Sequence, residues 1–225
     1  MNRKKYQSEK FVSFYKQKPL VLLKSEEIIL KNFLKKTLED PAKEVLFVGC
    51  GGGREIFGLL KKFDVKARLV GVDYSSKLIG YARRIKKKRK IKKVQFICQD
   101  IFKVNFKGKR FDAIILFNCF MDLLLQNQKE KLLTLLKKWV KRNGIVIFNV
   151  NKFSSFLKEA FIQLIKLHNP FIIKLRDEIG LPIIINPLPF LVYKKIIGKY
   201  FKIMGKIDST RIDGHRTIYL ICKNP

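Results

Sequence analysis

The chain has 225 residues, which is enough for one α/β domain with a full hydrophobic core. Hydrophobic residues make up 47% of the sequence, and this content excludes a disordered tail or a fibrous repeat. Lys and Arg number 49 against 18 Asp and Glu, for a formal net charge of +31. Two interpretations of this charge stay open: attraction to a polyanion such as RNA or to an anionic membrane surface, and a solvated surface without such a partner.

The sequence shows no targeting signal, and we expect a cytoplasmic protein. No window reaches about 18 uninterrupted apolar residues, because prolines and Asn186 interrupt the longest candidate, Leu181 to Tyr193. The basic N-terminus is not followed by the apolar segment of a secretory signal. The four cysteines contain no CxxC pair, so we expect reduced thiols and no metal site.

Two helices are predicted at the start of the chain. Apolar positions recur at helical spacing over Lys10–Tyr15 and Glu26–Leu38, and Pro41 ends the second helix. We therefore expect residues 1–40 to form an N-terminal helical segment that precedes the core.

Residues 41–150 alternate short apolar runs with helical periodicity. This alternation, with strands that are apolar along nearly their whole length, predicts a parallel sheet covered by helices on both faces. The predicted strands are Val45–Val48, Arg68–Asp73, Val94–Gln99, Phe111–Phe117 and Ile145–Val150, the last entered through a turn at Asn143-Gly144. The predicted helices are Glu55–Phe63, a helix capped by Ser75 or Ser76, and Gln126–Val140.

The pattern changes after residue 150. Phe153–Leu167 and Phe190–Phe201 are predicted helices, and prolines interrupt the segment between them. Residues 201–225 predict a terminal hairpin with a tight turn at Asp213-Gly214. We expect residues 151–200 to form a helical lid inserted after strand five, so that residues 1–225 are one domain.

Four glycines follow the first strand in VLFVGCGGG, between Gly49 and Gly53. In an open parallel sheet this turn lies at the edge where ligands bind, and the missing side chains let a ligand lie against the backbone. The third glycine of the nicotinamide motif GxGxxG is absent, because Arg54 or Ile56 stands in its place. The turn has the pattern GxGxG instead.

Two aspartates end the next two strands. Asp73 follows strand two, where a carboxylate can accept both hydroxyls of a ribose. Asp100 follows strand three, where it can accept from the exocyclic amine of an adenine while Ile101 packs on the ring. In the alternative interpretation the glycines only make a tight turn and the aspartates cap helices. The ordered set along one edge favours a nucleoside site.

With these motifs the chain resembles the class I S-adenosylmethionine-dependent methyltransferases. VLFVGCGGG is similar to the glycine-rich motif of that family, GVDYS to its ribose motif and CQDI to its adenine motif. FDAIILFNCF and VKRNGIVIF are similar to its fourth strand and the turn into its fifth. The resemblance covers about residues 42–150 and the terminal hairpin. It implies a seven-stranded, mostly parallel sheet of order 3-2-1-4-5-7-6, with strand seven antiparallel and helices on both faces.

The resemblance also implies bound S-adenosyl-L-methionine and a set of residues that contact it. One departure is visible, because most members carry an acid where this chain has Phe47. That acid usually helps to hold the methionine amine. The implied contacts are Gly49, Cys50, Gly51, Gly53, Asp73, Tyr74, Asp100, Ile101 and Asn118.

The catalytic residues stay open at this point. Methyl transfer from a sulfonium needs mainly in-line placement of the acceptor, and a base is needed only if the acceptor must lose a proton early. Asp122, after strand four, is a candidate base or a helix cap. His215, beside the terminal turn, is a candidate base or an exposed side chain.

Two segments, one basic and one apolar, bear on the chemical class of the methyl acceptor. The basic run RRIKKKRKIKK, Arg83–Lys93, connects a helix to the start of strand three, at the sheet edge opposite the predicted cofactor site. The lid is apolar around its prolines, which favours a small or hydrophobic acceptor. Three functions remain: a methyltransferase acting on a small or lipid-like molecule, an RNA methyltransferase docking through its basic surface, and a non-catalytic cofactor-binding module. Peripheral membrane contact is a further possibility.

Overall fold

The computed structural model describes residues 6–120, 123, 125–151, 173–176, 182–185, 190–213 and 217–225. The helices are α1 (Glu9–Gln17), α2 (Lys24–Glu39), α3 (Arg54–Lys62), α4 (Ser76–Lys88), α5 (Gln126–Trp139) and α6 (Phe190–Gly198). The strands are β1 (Glu44–Val48), β2 (Arg68–Asp73), β3 (Val94–Cys98), β4 (Phe111–Leu116), β5 (Val140–Asn151), β6 (Ile173–Arg176), β7 (Pro182–Ile185), β8 (Lys202–Asp208) and β9 (Thr217–Lys223).

Two of the helices begin at serine caps that the sequence supplies. The Ser8 hydroxyl accepts from the Phe11 backbone N–H at the start of α1 (3.2 Å). Ser75 does the same for Leu78 at the start of α4 (3.4 Å), as predicted for this cap. Such bonds satisfy N–H groups that have no partner inside the helix.

One seven-stranded sheet forms the centre of the molecule, in the order β3-β2-β1-β4-β5-β9-β8. Strands β1 to β5 are parallel to one another, and β9 is antiparallel to both β5 and β8. Because β8 and β9 are the predicted strands six and seven, the expected order and the antiparallel seventh strand are confirmed.

The parallel strands bring five chain positions together at one edge, which we call the carboxyl edge. The opposite edge, where these strands start, is called the amino edge. Loops at the carboxyl edge are the usual place for a ligand in an open α/β sheet. The strands end there at Val48, Asp73, Cys98, Leu116 and Asn151.

Each face of the sheet is covered by a separate hydrophobic cluster. One cluster joins the sheet to α5 and α6, and includes Leu46, Leu132 and Ile197. The other joins it to α2, α3 and α4, and includes Phe47, which is only 3% exposed. Residues of β1 alternate between the two clusters, as the period of a strand requires. Helices on both faces were predicted and are confirmed.

Three details differ from the predictions. Strand β5 starts at Val140 rather than Ile145 and contains an irregularity, with Asn143 in the left-handed region (φ 64°). The terminal strands are separated by more residues than predicted, since β8 ends at Asp208 and β9 begins at Thr217, with a 3₁₀ turn at Ser209–Arg211 after β8. The predicted turn at Asp213-Gly214 lies partly outside the described residues.

The insertion after β5 also differs, because β6 and β7 form an antiparallel pair that was not predicted. Isoleucine-rich segments favour strands, and a proline is tolerated at the first residue of one. The predicted helix Phe153–Leu167 lies outside the described residues, and α6 matches the other predicted helix of the insertion.

Lys129 is a fully buried cation in α5. Its Nζ donates to the backbone carbonyl of Leu123, in the segment that follows β4. Desolvation by burial lowers the pKa of Lys129 to about 8. Its ammonium therefore ties α5 to this segment at a cost in hydration.

This burial predicts a pH-dependent stability. Since the pKa of Lys129 is lower in the folded than in the unfolded chain, the unfolded chain binds more protons between about pH 8 and pH 10.5. The contribution of Lys129 to the free energy of unfolding should therefore rise with pH across this window and be smallest below it. Lys129→Met should flatten the rise in urea-denaturation midpoints, whereas Lys137→Met, at an exposed position of the same helix, should not. Equal slopes in both variants would contradict the prediction.

Candidate functional site

The glycine turn folds back over the end of β2. The backbone N–H groups of Gly49 and Cys50 both donate to the Val72 carbonyl oxygen, at 2.8 and 3.1 Å. Gly49 has a φ of 69°, and a Cβ placed on it would lie 2.7 Å from the Cβ of Cys119. A side chain at this position is excluded both by the backbone conformation and by the loop that follows β4.

Asp73 holds the turn with its carboxylate. One oxygen accepts from the Gly51 N–H (2.9 Å) and the other from the Ser75 N–H (2.8 Å). Burial raises the pKa of Asp73 above its ordinary value, and the backbone donors oppose this shift. A carboxylate has about four acceptor positions, so Asp73 keeps capacity for further donors such as ribose hydroxyls.

A cavity of about 280 Å³ opens beside this turn at the carboxyl edge. It brings together most of the residues predicted to contact the cofactor. The missing side chains of the turn and the Asp73 carboxylate leave a cradle that fits an adenosyl group. The predicted residues that line it are Gly49, Cys50, Gly51, Asp73, Tyr74, Ile101 and Asn118.

Two predicted contacts do not line the cavity. Gly53 precedes α3, and a Cβ placed on it would meet the rings of Phe57 and Phe96 at 2.8 and 3.1 Å. Asp100 stands between two lining residues, Gln99 and Ile101, and its Oδ1 accepts from the Phe102 N–H (3.0 Å). The role of Asp100 toward an adenine stays a prediction.

The N-terminal segment covers the cavity, which the sequence analysis missed. Tyr6, Phe11 and Tyr15 line it. The ring centroids of Tyr6 and Phe11 are 4.9 Å apart, and those of Phe11 and Tyr15 are 6.1 Å apart. The spacing of Phe11 and Tyr15, four residues apart in α1, was the available signal.

Contacts with the turn hold this segment in place. A Cβ placed on Gly52 would lie 2.7 Å from Cε1 of Tyr15, so the glycine allows the tyrosine ring to lie against the backbone. The Ser75 hydroxyl donates to the Tyr6 carbonyl (2.9 Å), and the Gln7 amide donates to the Tyr74 carbonyl (3.3 Å). Burial raises the pKa of the Tyr15 phenol, which keeps its proton.

A buried charge cluster adjoins the turn, and it too was missed. Arg54 binds Glu26 in a bidentate arrangement, at 2.6 and 2.9 Å, and Glu55 at 2.7 Å. Glu26 is fully buried. Burial lowers the pKa of Arg54, but the Glu55 and Glu26 carboxylates outweigh it and raise that pKa overall. Both Arg54 and Glu55 line the cavity, while Phe47 lies in the core beneath.

Asn118 is held in an uncommon conformation after β4, with a φ of 57°. Its backbone N–H donates to Oδ1 of Asn149 (2.6 Å), and Nδ2 of Asn149 donates to the Asn118 side-chain oxygen (2.8 Å). Asn149 lies on β5 and is 1% exposed. The buried amide therefore fixes both the backbone and the side chain of a residue that lines the cavity.

The candidate bases Asp122 and His215 lie outside the described residues. Within the ranges given above, no three His, Cys, Asp or Glu side chains lie close enough to hold a metal ion. Among the same residues, no helix is long and apolar enough to span a membrane.

Comparison with known proteins identifies the class. Residues 39–178 match the methyltransferase domain family over more than half of the chain, and the chain belongs to that family. Together with the sheet order, this makes it a class I S-adenosylmethionine-dependent methyltransferase with S-adenosyl-L-methionine as its cofactor. The predicted family, enzyme class and cofactor are confirmed.

Individual relatives are more distant. The chain is 32% identical to phosphoethanolamine N-methyltransferase 1 of Arabidopsis thaliana over 123 residues, which are 53% of this chain and 23% of that protein. It thus spans about a quarter of that relative's length.

Similar solved structures share the fold. An S-adenosylmethionine-dependent methyltransferase from Methanosarcina mazei superposes with a TM-score of 0.71 at 16% identity, covering 87% of this chain and 96% of the other. The CcbJ methyltransferase of Streptomyces caelestis gives 0.70 at 14% identity, with 98% of each chain covered. The N-methyltransferase NodS of Bradyrhizobium japonicum, solved with S-adenosyl-L-homocysteine, gives 0.63 at 13% identity, covering 99% and 96%.

The amide pair of Asn118 and Asn149 yields a testable prediction. Asn149→Ala removes the buried acceptor and donor that hold Asn118, and should lower the free energy of unfolding by about 2 kcal/mol in urea denaturation. Asn105→Ala is the matched control, because Asn105 makes one local bond to the Lys107 N–H in an exposed turn. A similar loss of unfolding free energy in both variants would show that the Asn118–Asn149 pair does not stabilise the fold more than an exposed local bond does.

Proposed function

We propose that this methyltransferase acts on a small or hydrophobic acceptor that enters the covered cavity at the carboxyl edge. The observation that carries the proposal is the cover itself. Aromatic side chains of the N-terminal segment lie over the glycine turn and leave a confined, largely apolar space. Confined apolar pockets with a few polar groups are typical of small-molecule sites.

The named relative adds limited support. Phosphoethanolamine N-methyltransferase 1 is named for a small acceptor, and its similarity to this chain extends over 123 residues. This agrees with a small acceptor here and favours the first of the three functions considered above.

Different residues of this chain would hold the ribose, the adenine and the methionine part of the cofactor. Asp73 would accept from the ribose hydroxyls while it keeps the glycine turn in place. Ile101 would pack against the adenine, and Asn118, fixed by Asn149, would contact the methionine part.

The methionine amine needs a negative partner, which Phe47 cannot supply. Glu55 lines the cavity beside the glycine turn and is 8% exposed. Its Oε1 is bound by Arg54, and the carboxylate retains further acceptor positions. We infer that Glu55 takes over the role of the missing acid. This placement supports cofactor anchoring despite the departure at Phe47.

When bound, the sulfonium cofactor supplies an activated methyl group that an aligned nucleophile accepts. The chain's part is then mainly alignment and exclusion of water, which can lower a barrier by about 7–11 kcal/mol at best. Tyr6, Phe11 and Tyr15 restrict access from solvent over the turn. Asn118 and Leu123, after β4, line the side of the cavity where we place the acceptor.

Calorimetry tests the ribose contact. Asp73→Ala should weaken binding of S-adenosyl-L-homocysteine by at least about 1.5 kcal/mol, because it removes a charged acceptor. Asp64→Ala is the control, since Asp64 is exposed and pairs only with Lys66 among the described residues. Thermal unfolding of Asp73→Ala, compared with that of the wild type, separates loss of binding from loss of the turn. An unchanged dissociation constant in Asp73→Ala would refute the assignment.

Label transfer tests the acceptor class. The protein is incubated with S-adenosyl-L-methionine labelled in its methyl group and with fractionated cell extract. Label should appear in the small-molecule or lipid fraction, and Asp73→Ala should reduce it in proportion to the weaker binding. Label recovered mainly in RNA would contradict the proposed acceptor, and no incorporation into any fraction would favour a non-catalytic module.

A further inference from the structure

A second concave surface lies at the opposite edge of the sheet. It is formed by the end of α4, the segment that follows it, and β3, and it has a volume of about 650 Å³. We call it the basic groove. Its charged lining consists of Arg83, Lys86, Lys87, Lys90 and Lys92, with Phe96 as its buried floor.

The charge of the groove is not compensated locally. From Ser76 to Gln99 the sequence has no Asp or Glu. In the part of the chain that the structure describes, none of the five groove cations has a carboxylate within ion-pair distance. The groove therefore presents a concentrated positive potential to solvent.

Several other cations at the amino edge are paired with carboxylates. Nζ of Lys109 lies 2.7 Å from a carboxylate oxygen of Glu44, and Nζ of Lys141 lies 2.9 Å from one of Asp112. These acids stand at the starts of β1 and β4. Acids thus partly neutralise these cations, whereas the described residues offer no carboxylate partner to the five groove cations.

A side chain of the groove already binds the backbone of β3. Strand β3 is at the edge of the sheet, and Arg83 donates to the Phe96 carbonyl oxygen (2.8 Å). This bond uses a backbone acceptor of β3, which disfavours an added peptide strand as the occupant.

We propose that the basic groove binds the phosphate backbone of a single-stranded RNA. A concave surface lined by five cations suits a flexible chain of phosphates, which can follow its contour more readily than a rigid duplex. An anionic membrane fits less well, because electrostatic attraction alone gives weak attachment without apolar anchors. Among the described residues, the exposed large apolar side chains lie elsewhere, at Val21, Leu125, Leu191, Val192 and Met204.

Two properties of this binding follow from the geometry. Phe96 is only 5% exposed, so base stacking is absent and recognition rests on phosphate charge, without sequence preference. The groove precedes β3 at the amino edge, while the cofactor cavity follows the same strands at the carboxyl edge. The RNA segment held in the groove is therefore not the methyl acceptor, and the inference is independent of the proposed function.

Fluorescence anisotropy with a labelled single-stranded oligouridine tests the proposal. The triple variant Lys87→Glu/Lys90→Glu/Lys92→Glu should bind at least about tenfold more weakly than the wild type at low salt. Lys194→Glu/Lys195→Glu/Lys199→Glu, on α6 and just after it, changes the net charge by the same amount at exposed positions. Its affinity should stay within about threefold of the wild type. For the wild type, the logarithm of affinity should fall with the logarithm of salt at a slope of up to about −3.5, as five phosphate contacts predict.

Binding of S-adenosyl-L-homocysteine at the far edge reports whether the variants are folded. If the glutamate triple fails to bind it, Lys87→Gln/Lys90→Gln/Lys92→Gln replaces that triple, with an expected loss of RNA affinity of about fivefold. Equal losses in the groove and α6 variants would overturn the proposal, as would wild-type affinity in the groove variant. Stronger groove-dependent binding to phosphatidylserine vesicles than to RNA would assign the groove to a membrane and overturn it too.

Discussion

The interaction on which the site depends is the pair of backbone bonds accepted by Asp73. Its carboxylate joins the glycine turn after β1 to the start of α4 after β2, through Gly51 and Ser75. The Val72 carbonyl adds two bonds from the other side of the turn. Without these acceptors the turn would have unpaired N–H groups in a partly buried place. The residue that we propose as the ribose acceptor thus also builds the surface of the proposed cofactor site.

The cover over this surface depends on the same turn. Tyr15 packs against Gly52, and the Ser75 hydroxyl binds the backbone of Tyr6. Beside them, the Arg54–Glu26 pair connects α3 to α2, so that both N-terminal helices are attached to the cofactor edge. Breaking one partner of such a buried pair is costly, because the other charge is left unpaired. Cofactor site and N-terminal segment therefore form one structural unit.

Much of the fold followed from local patterns, because strand and helix periods and the GxGxG turn are encoded within short segments. The sheet order came from the resemblance carried by those motifs. The cover of the site was not predictable in this way, since its contacts join residues far apart, such as Gln7 and Tyr74. The sequence analysis considered Arg54 only because it replaces the third glycine of the GxGxxG motif. Its ion pair was not predicted, because its partner Glu26 lies on another helix. The cations of the basic groove were likewise visible as a run in the sequence. Only the structure shows that the five that line the groove have no carboxylate partner among the described residues, whereas Lys109 and Lys141 do.

The most direct test of the central claim is a crystal structure of the chain with S-adenosyl-L-homocysteine. The proposed cofactor site predicts that both ribose hydroxyls lie within hydrogen-bond distance of the Asp73 carboxylate. It also predicts that the adenine lies against Ile101 and the methionine amine near Glu55. A nucleoside bound at the amino edge, or one whose ribose lies away from Asp73, would contradict it.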